Sequence, residues 1–125
     1  MLGKMGKLEN MFGVTGRSGW LMLALASFAL LADWLLTLWF VVPRYGQLGF
    51  LRLHYTASLG VDWVAEWWKL FIYPACGTLA FFVNGRFAGL LSKKHRMFGL
   101  LVLGATAVVE VLIAAGTAVA VMLNI

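Results

Sequence analysis

Residues 20–42 read WLMLALASFALLADWLLTLWFVV. Apart from Asp33 and two hydroxyls the run is apolar throughout, and at 1.5 Å per residue a helix of this length crosses the ~30 Å hydrocarbon layer of a bilayer. Residues 70–91 and 97–123 repeat the reading, the first of these two runs carrying Pro74 near its start, where a kink is easiest to absorb. The composition agrees: of 125 residues 62% are hydrophobic, and ten Lys and Arg with five Asp and Glu are too few to cover a soluble surface. The sequence therefore predicts an all-α integral membrane protein, a single membrane domain over 1–125 with three transmembrane helices at 20–42, 70–91 and 97–123. The first run is longer than a signal-peptide core and ends in Val41-Val42-Pro43-Arg44 without a small-residue cleavage pattern, so it reads as a retained span.

Between the spans the polar segments are short. Residues 1–19 form a basic segment with Lys4, Lys7 and Arg17, able to make at most a short interfacial helix around Leu8, Met11 and Phe12. The loop 43–69 holds an alternating stretch at Leu51-Arg52-Leu53-His54-Tyr55-Thr56 that suits one short strand, followed by a turn at Gly60. From there, Asp62 as N-cap and the helical spacing of Trp63, Trp67, Trp68 and Phe71 predict an interfacial helix over 62–69, with its tryptophans as anchors in the aromatic belt. Residues 92–96, Ser-Lys-Lys-His-Arg, make a tight basic turn.

Orientation follows from the placement of Lys and Arg, because cytoplasmic flanks carry the excess. Three lie in 1–19 and three in 92–96, against Arg44, Arg52 and Lys69 in the loop. This puts the N-terminus in the cytoplasm and the C-terminus outside a plasma membrane, the inner membrane of a bacterium. The expected partners are anionic lipid headgroups at the inner face and other membrane helices, from further copies or from different chains. The basic residues flank apolar runs and do not form a face with interleaved aromatics, so nucleic acid is not an expected partner.

Ionisable groups inside spans are costly and are functional candidates by default, which singles out Asp33, Arg86 and Glu110. Counted from residues 20 and 97, both acids lie roughly 20 Å into the layer, level with Cys76 and Thr78, while Arg86 lies nearer the inner face. An ion pair between Arg86 and either acid is therefore not expected. Asp33 shares a stripe with Ala26, Ala29 and Thr37, and Glu110 with Thr106, Ala107, Ala114 and Thr117, faces suited to close helix approach and interhelical hydrogen bonds. Gly85 and Gly89 form a GxxxG spacing for helix packing, a common pattern of low specificity. Two nearby carboxyls in a low-dielectric layer do not both ionise easily. They therefore suit either a proton- or cation-linked site or hydrogen-bonded glue, with Thr78 and Thr106 as partners. Cys76, the lone cysteine, reads as a small buried packing residue. His54 and His95 fall on opposite sides of the membrane and cannot share a metal, and neither a catalytic triad nor a phosphate-binding loop is present. No enzymatic activity, cofactor or metal is expected.

The loop sequence Leu53-His54-Tyr55-Thr56-Ala57-Ser58-Leu59-Gly60-Val61-Asp62, with Trp67, Leu70 and Pro74 after it, resembles a loop of uncharacterised small three-span membrane proteins of candidate-phylum bacteria. In those proteins Leu-His-Tyr, four residues, Gly, one residue and Asp stand between a first span and a closing pair. The resemblance runs from the loop to residue 125. A more distant likeness is to the His-aromatic, Gly and Asp loop of the DUF1648 family, with different spacing, and Arg52 and Thr56 depart from the Pro and Asn usual there. The resemblance carries no activity, but it implies a loop constellation of His54, Tyr55, Gly60 and Asp62. Taken together, the expectation is a non-enzymatic accessory or scaffolding subunit of an oligomer or larger membrane complex. The alternatives are a small proton- or cation-linked transporter or channel using Asp33 and Glu110, and an envelope sensor using the outer loop.

Overall fold

The computed structural model describes residues 2–12, 14 and 16–125. The chain is mostly helical, with α1 at Leu2–Phe12, α2 at Gly16–Val41, α3 at Ile72–Ser92 and α4 at Arg96–Met122. A two-stranded antiparallel hairpin, β1 at Phe50–Thr56 and β2 at Gly60–Glu66, stands between α2 and α3. Short 3₁₀ turns at Val42–Arg44 and Trp67–Phe71 join it to the helices. Two stretches, Gly16–Arg44 and Arg96–Met122, are long and apolar enough to cross a membrane. α3 is shorter and contains Asn84 and Arg86. α2, α3 and α4 pack side by side, α4 making its most extensive contacts with α3 and α2, while α1 lies against α3 and β1 against α4.

The hairpin corrects the sequence reading at one place. Residues 62–69 form no interfacial helix: β2 runs through Glu66, and only the 3₁₀ turn follows. The helical spacing of the tryptophans is outweighed by the β-branched and aromatic run Val61, Trp63, Val64, which fits a pleated surface beside the strand expected at 51–56. Asp62 consequently caps nothing. Register passes from Arg52↔Val64 to His54↔Trp63 and then to Tyr55↔Val61, so Leu53 and Asp62 are each an extra residue on their strand. Such bulges re-aim side chains: Leu53 turns inward, 1% exposed, and Asp62 turns toward His54. Gly60 closes the turn at φ +73°, a conformation that a side chain would strain.

The interior divides into three layers. At the hairpin end Phe40, Val41, Leu51, Leu53, Ala65, Leu70, Ala120 and Val121 form one apolar cluster. At the opposite end Phe12, Val14, Ala88 and Leu103 form another, which seats α1 on the bundle. Gly85 makes that seat. It is buried, and a Cβ added to it would overlap the Phe12 ring, which also packs on Phe81 with centroids 5.9 Å apart. Between the two clusters lies a buried polar layer of Asp33, Thr37, Thr106, Glu110 and Thr117. His95 opens α4, its Nδ1 accepting the Met97 N–H at 3.3 Å. Asn124 closes it: its side-chain oxygen accepts the Arg52 N–H at 2.9 Å, and its amide donates to the carbonyls of Arg52 at 2.6 Å and Ala120 at 2.7 Å. One asparagine thereby ties the end of α4 to the edge of β1.

Candidate functional site

The middle layer is built from three helices. On α2 the inward stripe Ala26, Ala29, Asp33, Thr37 is buried, four-residue and three-residue steps that keep one face toward the neighbours. On α4 the corresponding stripe is Leu103, Thr106, Ala107, Glu110 and Thr117. α3 contributes Gly77. The level that places Asp33 and Glu110 between Cys76 and Thr78 thus falls on a residue with no side chain, and both acids use the space. A Cβ at Gly77 would stand 2.9 Å from Glu110 Oε2, 3.7 Å from Asp33 Oδ2 and 3.2 Å from Leu30 Cδ1. The two carboxyls therefore converge on one point of α3.

Asp33 is 1% exposed and Glu110 is sealed, yet none of their four carboxyl oxygens has a hydrogen-bond partner among the described residues. The neighbouring hydroxyls are committed to the carbonyls of their own helices. Thr37 donates to Asp33 O at 2.9 Å, Thr106 to Val102 O at 2.7 Å, and Thr78 to Pro74 O at 2.8 Å. Thr117 stands beside the Asp33 carboxyl but is turned to Ile113 O at 3.2 Å. Interhelical glue does occur at this level, from a residue outside the expected set: Trp34 Nε1 donates to Thr78 Oγ1 at 3.0 Å, linking α2 to α3 without involving either acid. Thr78 and Thr106 are therefore near the acids but do not hold them. Gly77 is also beyond sequence reasoning, since its contribution is an absence.

The other sequence candidates lie elsewhere. Arg86 is exposed on α3 and, among the described residues, makes no ion pair with either acid. Gly85 and Gly89 are both buried, Gly85 receiving Phe12. Cys76 is exposed, contrary to its reading as a buried packing residue, because α3 turns Pro74, Gly77, Gly85 and Ala88 inward and Cys76 falls outside that stripe. At the hairpin end His54 Nδ1 and Asp62 Oδ1 are 2.6 Å apart, with Tyr55 half-exposed on the same strand as His54. Tyr73 donates its hydroxyl to Leu53 O at 2.5 Å. Trp67 packs edge-on against Tyr45 with ring centroids 5.7 Å apart. Trp63 and Trp68 are partly exposed, the Trp68 indole donating to Glu66 and lying 5.5 Å from the Lys69 ammonium. No cluster of three or more potential metal-ligating side chains occurs among the described residues.

Comparison with protein-family models, with curated proteins and with solved structures finds no match to this chain. The middle layer is the candidate site on its own geometry.

Proposed function

We propose that this chain is a small non-enzymatic membrane protein of three spans, in which α3 crosses beside α2 and α4, and that its Asp33–Glu110 pair binds a proton or a small cation. The observation that carries the reading is the set of four buried carboxyl oxygens that accept no hydrogen bond among the described residues, the nearby Thr117 hydroxyl being turned to Ile113 O. An unpaired carboxylate withdrawn from water is so costly that it takes up a proton or coordinates a cation. Two such groups facing one glycine form a place where one positive charge can be held between two oxygens. The Lys and Arg distribution supports an N-terminus on the cytoplasmic side of a bacterial plasma membrane, with anionic headgroups around Lys93 and Lys94.

A second reading, an accessory or scaffolding subunit, is supported by the completeness of the burial, which leaves a single copy without an open route to the acids. Its support also includes the long apolar faces of α2 and α4, with Leu21, Phe28, Leu35, Leu101, Val108 and Leu112 more than half exposed. Both readings need other helices, further copies or different chains, to complete the surface.

One experiment separates them. The chain is purified in mild detergent, its mass measured, and proton or monovalent-cation flux recorded in liposomes for the wild type and for Asp33→Asn and Glu110→Gln. Flux from the chain alone that disappears in both variants while their helical circular dichroism persists supports binding and transport at the pair. A wild type without flux that purifies in a stable complex with other polypeptides sinks that reading in favour of the accessory role.

A further inference from the structure

α3 carries one charged residue, Arg86, outside the face that bears Gly77. Arg86 lies in a groove of about 350 Å³ whose other walls are Phe82, Val83, Phe87 and Leu90. The guanidinium stays charged under all ordinary conditions. Among the described residues no carboxylate stands within ion-pair distance of it: Asp62 pairs with His54, Glu66 is on the hairpin, Glu9 is on α1, and Asp33 and Glu110 are sealed in the middle layer. A lone cation against four apolar side chains in a hydrocarbon layer is unfavourable unless an anion comes to it. Arg86 is six residues from Ser92, about 9 Å along the helix, a distance its long side chain reduces by reaching toward the exposed Lys93 and Lys94. At that depth the anions on offer are lipid phosphates.

We infer that this groove is a binding site for an anionic phospholipid of the inner leaflet, its phosphate forked by the Arg86 guanidinium and one acyl chain laid against Phe82, Val83, Phe87 and Leu90. The planar fork of arginine suits two phosphate oxygens at once. The apolar walls decide for a lipid over free phosphate, since a small anion gains nothing from them. Positive charge at Lys93 and Lys94 decides for an anionic over a zwitterionic headgroup. The inference rests on α3 being a membrane span, as proposed above, but not on any role of the acid pair.

The test is native mass spectrometry of the full chain in mild detergent, titrated with phosphatidylglycerol or phosphatidylcholine of the same acyl chains. The wild type is expected to retain phosphatidylglycerol in preference, and Arg86→Gln to lower that retention about tenfold, the loss of one charge-assisted contact. Arg86→Lys is expected to retain an intermediate amount, and Phe82→Ala with Phe87→Ala to weaken both lipids alike. Equal phosphatidylglycerol retention by wild type and Arg86→Gln overturns the site. So does full displacement of the lipid by millimolar inorganic phosphate, which assigns the arginine to a small anion. Whether α3 spans is read separately, by one-sided maleimide labelling of Lys94→Cys on a Cys76→Ser background, so failure of the lipid site and failure of the span are told apart.

Discussion

At the hairpin end the Asp62 carboxylate meets His54 Nδ1 at 2.6 Å, with 28% and 54% of the two side chains open to solvent. In the middle of the bundle the Asp33 and Glu110 carboxyls are closed off and accept no hydrogen bond among the described residues. Both regions turn on carboxyl groups and the geometry of the hairpin pair is the better, yet the energetic ranking is the reverse. Water screens the exposed pair, so making or breaking it changes little. Burial amplifies every change in the middle layer, because whatever stands there has no solvent to fall back on.

The largest effect is expected from filling the point where the two acids converge. Gly77→Leu drives a side chain into the buried Glu110 and Asp33 carboxyls and into Leu30, and is expected to cost about 3 kcal/mol. Thermal unfolding followed by circular dichroism in detergent measures it. Gly104→Ala is the control, since a Cβ there would meet only the flexible end of Met22 at 3.7 Å, and its melting temperature is expected to stay near that of the wild type.

Removing the charge from the layer should act in the other direction. Glu110→Met is close in volume and needs no partner, so it is expected to stabilise the bundle by about 1–3 kcal/mol while abolishing any proton or cation flux. A Met variant less stable than the wild type would show that the carboxyl makes a favourable interaction, and the reading of the layer as an unpaired site would fail.

These contrasts also explain what the sequence can convey. Two stretches long and apolar enough to span are legible because hydrophobic length along one chain is a one-dimensional signal, and the α-helical rise converts it directly to distance. The shared depth of Asp33 and Glu110 is legible by the same count, and so is the strand at Leu51–Thr56. What stands opposite the acids is not legible, because helix rotation decides it: Gly77 faces them while its neighbours Cys76 and Thr78 do not. The second strand escapes periodicity for a related reason. Trp63, Trp67 and Phe71 share helical spacing, but they are distributed over a strand and a 3₁₀ turn, and the two bulges that turn Leu53 and Asp62 leave no mark in a periodicity of two. Asn124 gives no sequence signal either, because its importance lies in a contact with residue 52 across the fold.

That contact provides an effect of intermediate size. Asn124→Ala removes the side-chain oxygen that accepts from Arg52 and the amide that donates to Arg52 and Ala120. The site is partly open, so water recovers some of the loss and about 1 kcal/mol is expected. The change should appear as faster hydrogen exchange across β1 and β2, with α2 and α4 unaltered. Accelerated exchange extending into the middle layer would instead mean that the hairpin and the bundle unfold as one unit.

The smallest effect is expected at the best-formed polar contact. His54→Ala, Asp62→Ala and the double variant form a cycle whose coupling energy should not exceed about 0.5 kcal/mol, given the exposure of both groups. Flux in liposomes should be unchanged in all three. The sharper outcome is the contrary one. Tyr73 lies between the two regions, its hydroxyl held by Leu53 O on the bulged strand and its ring against Gly116, one residue from Thr117 of the acid layer. If His54→Ala reduces flux as Glu110→Gln does, and Tyr73→Phe abolishes the difference between His54→Ala and its parent, the hairpin contact acts on the acid pair through that tyrosine. The screened pair and the sealed pair would then be one device, and the energetic separation that water imposes between them would not extend to function.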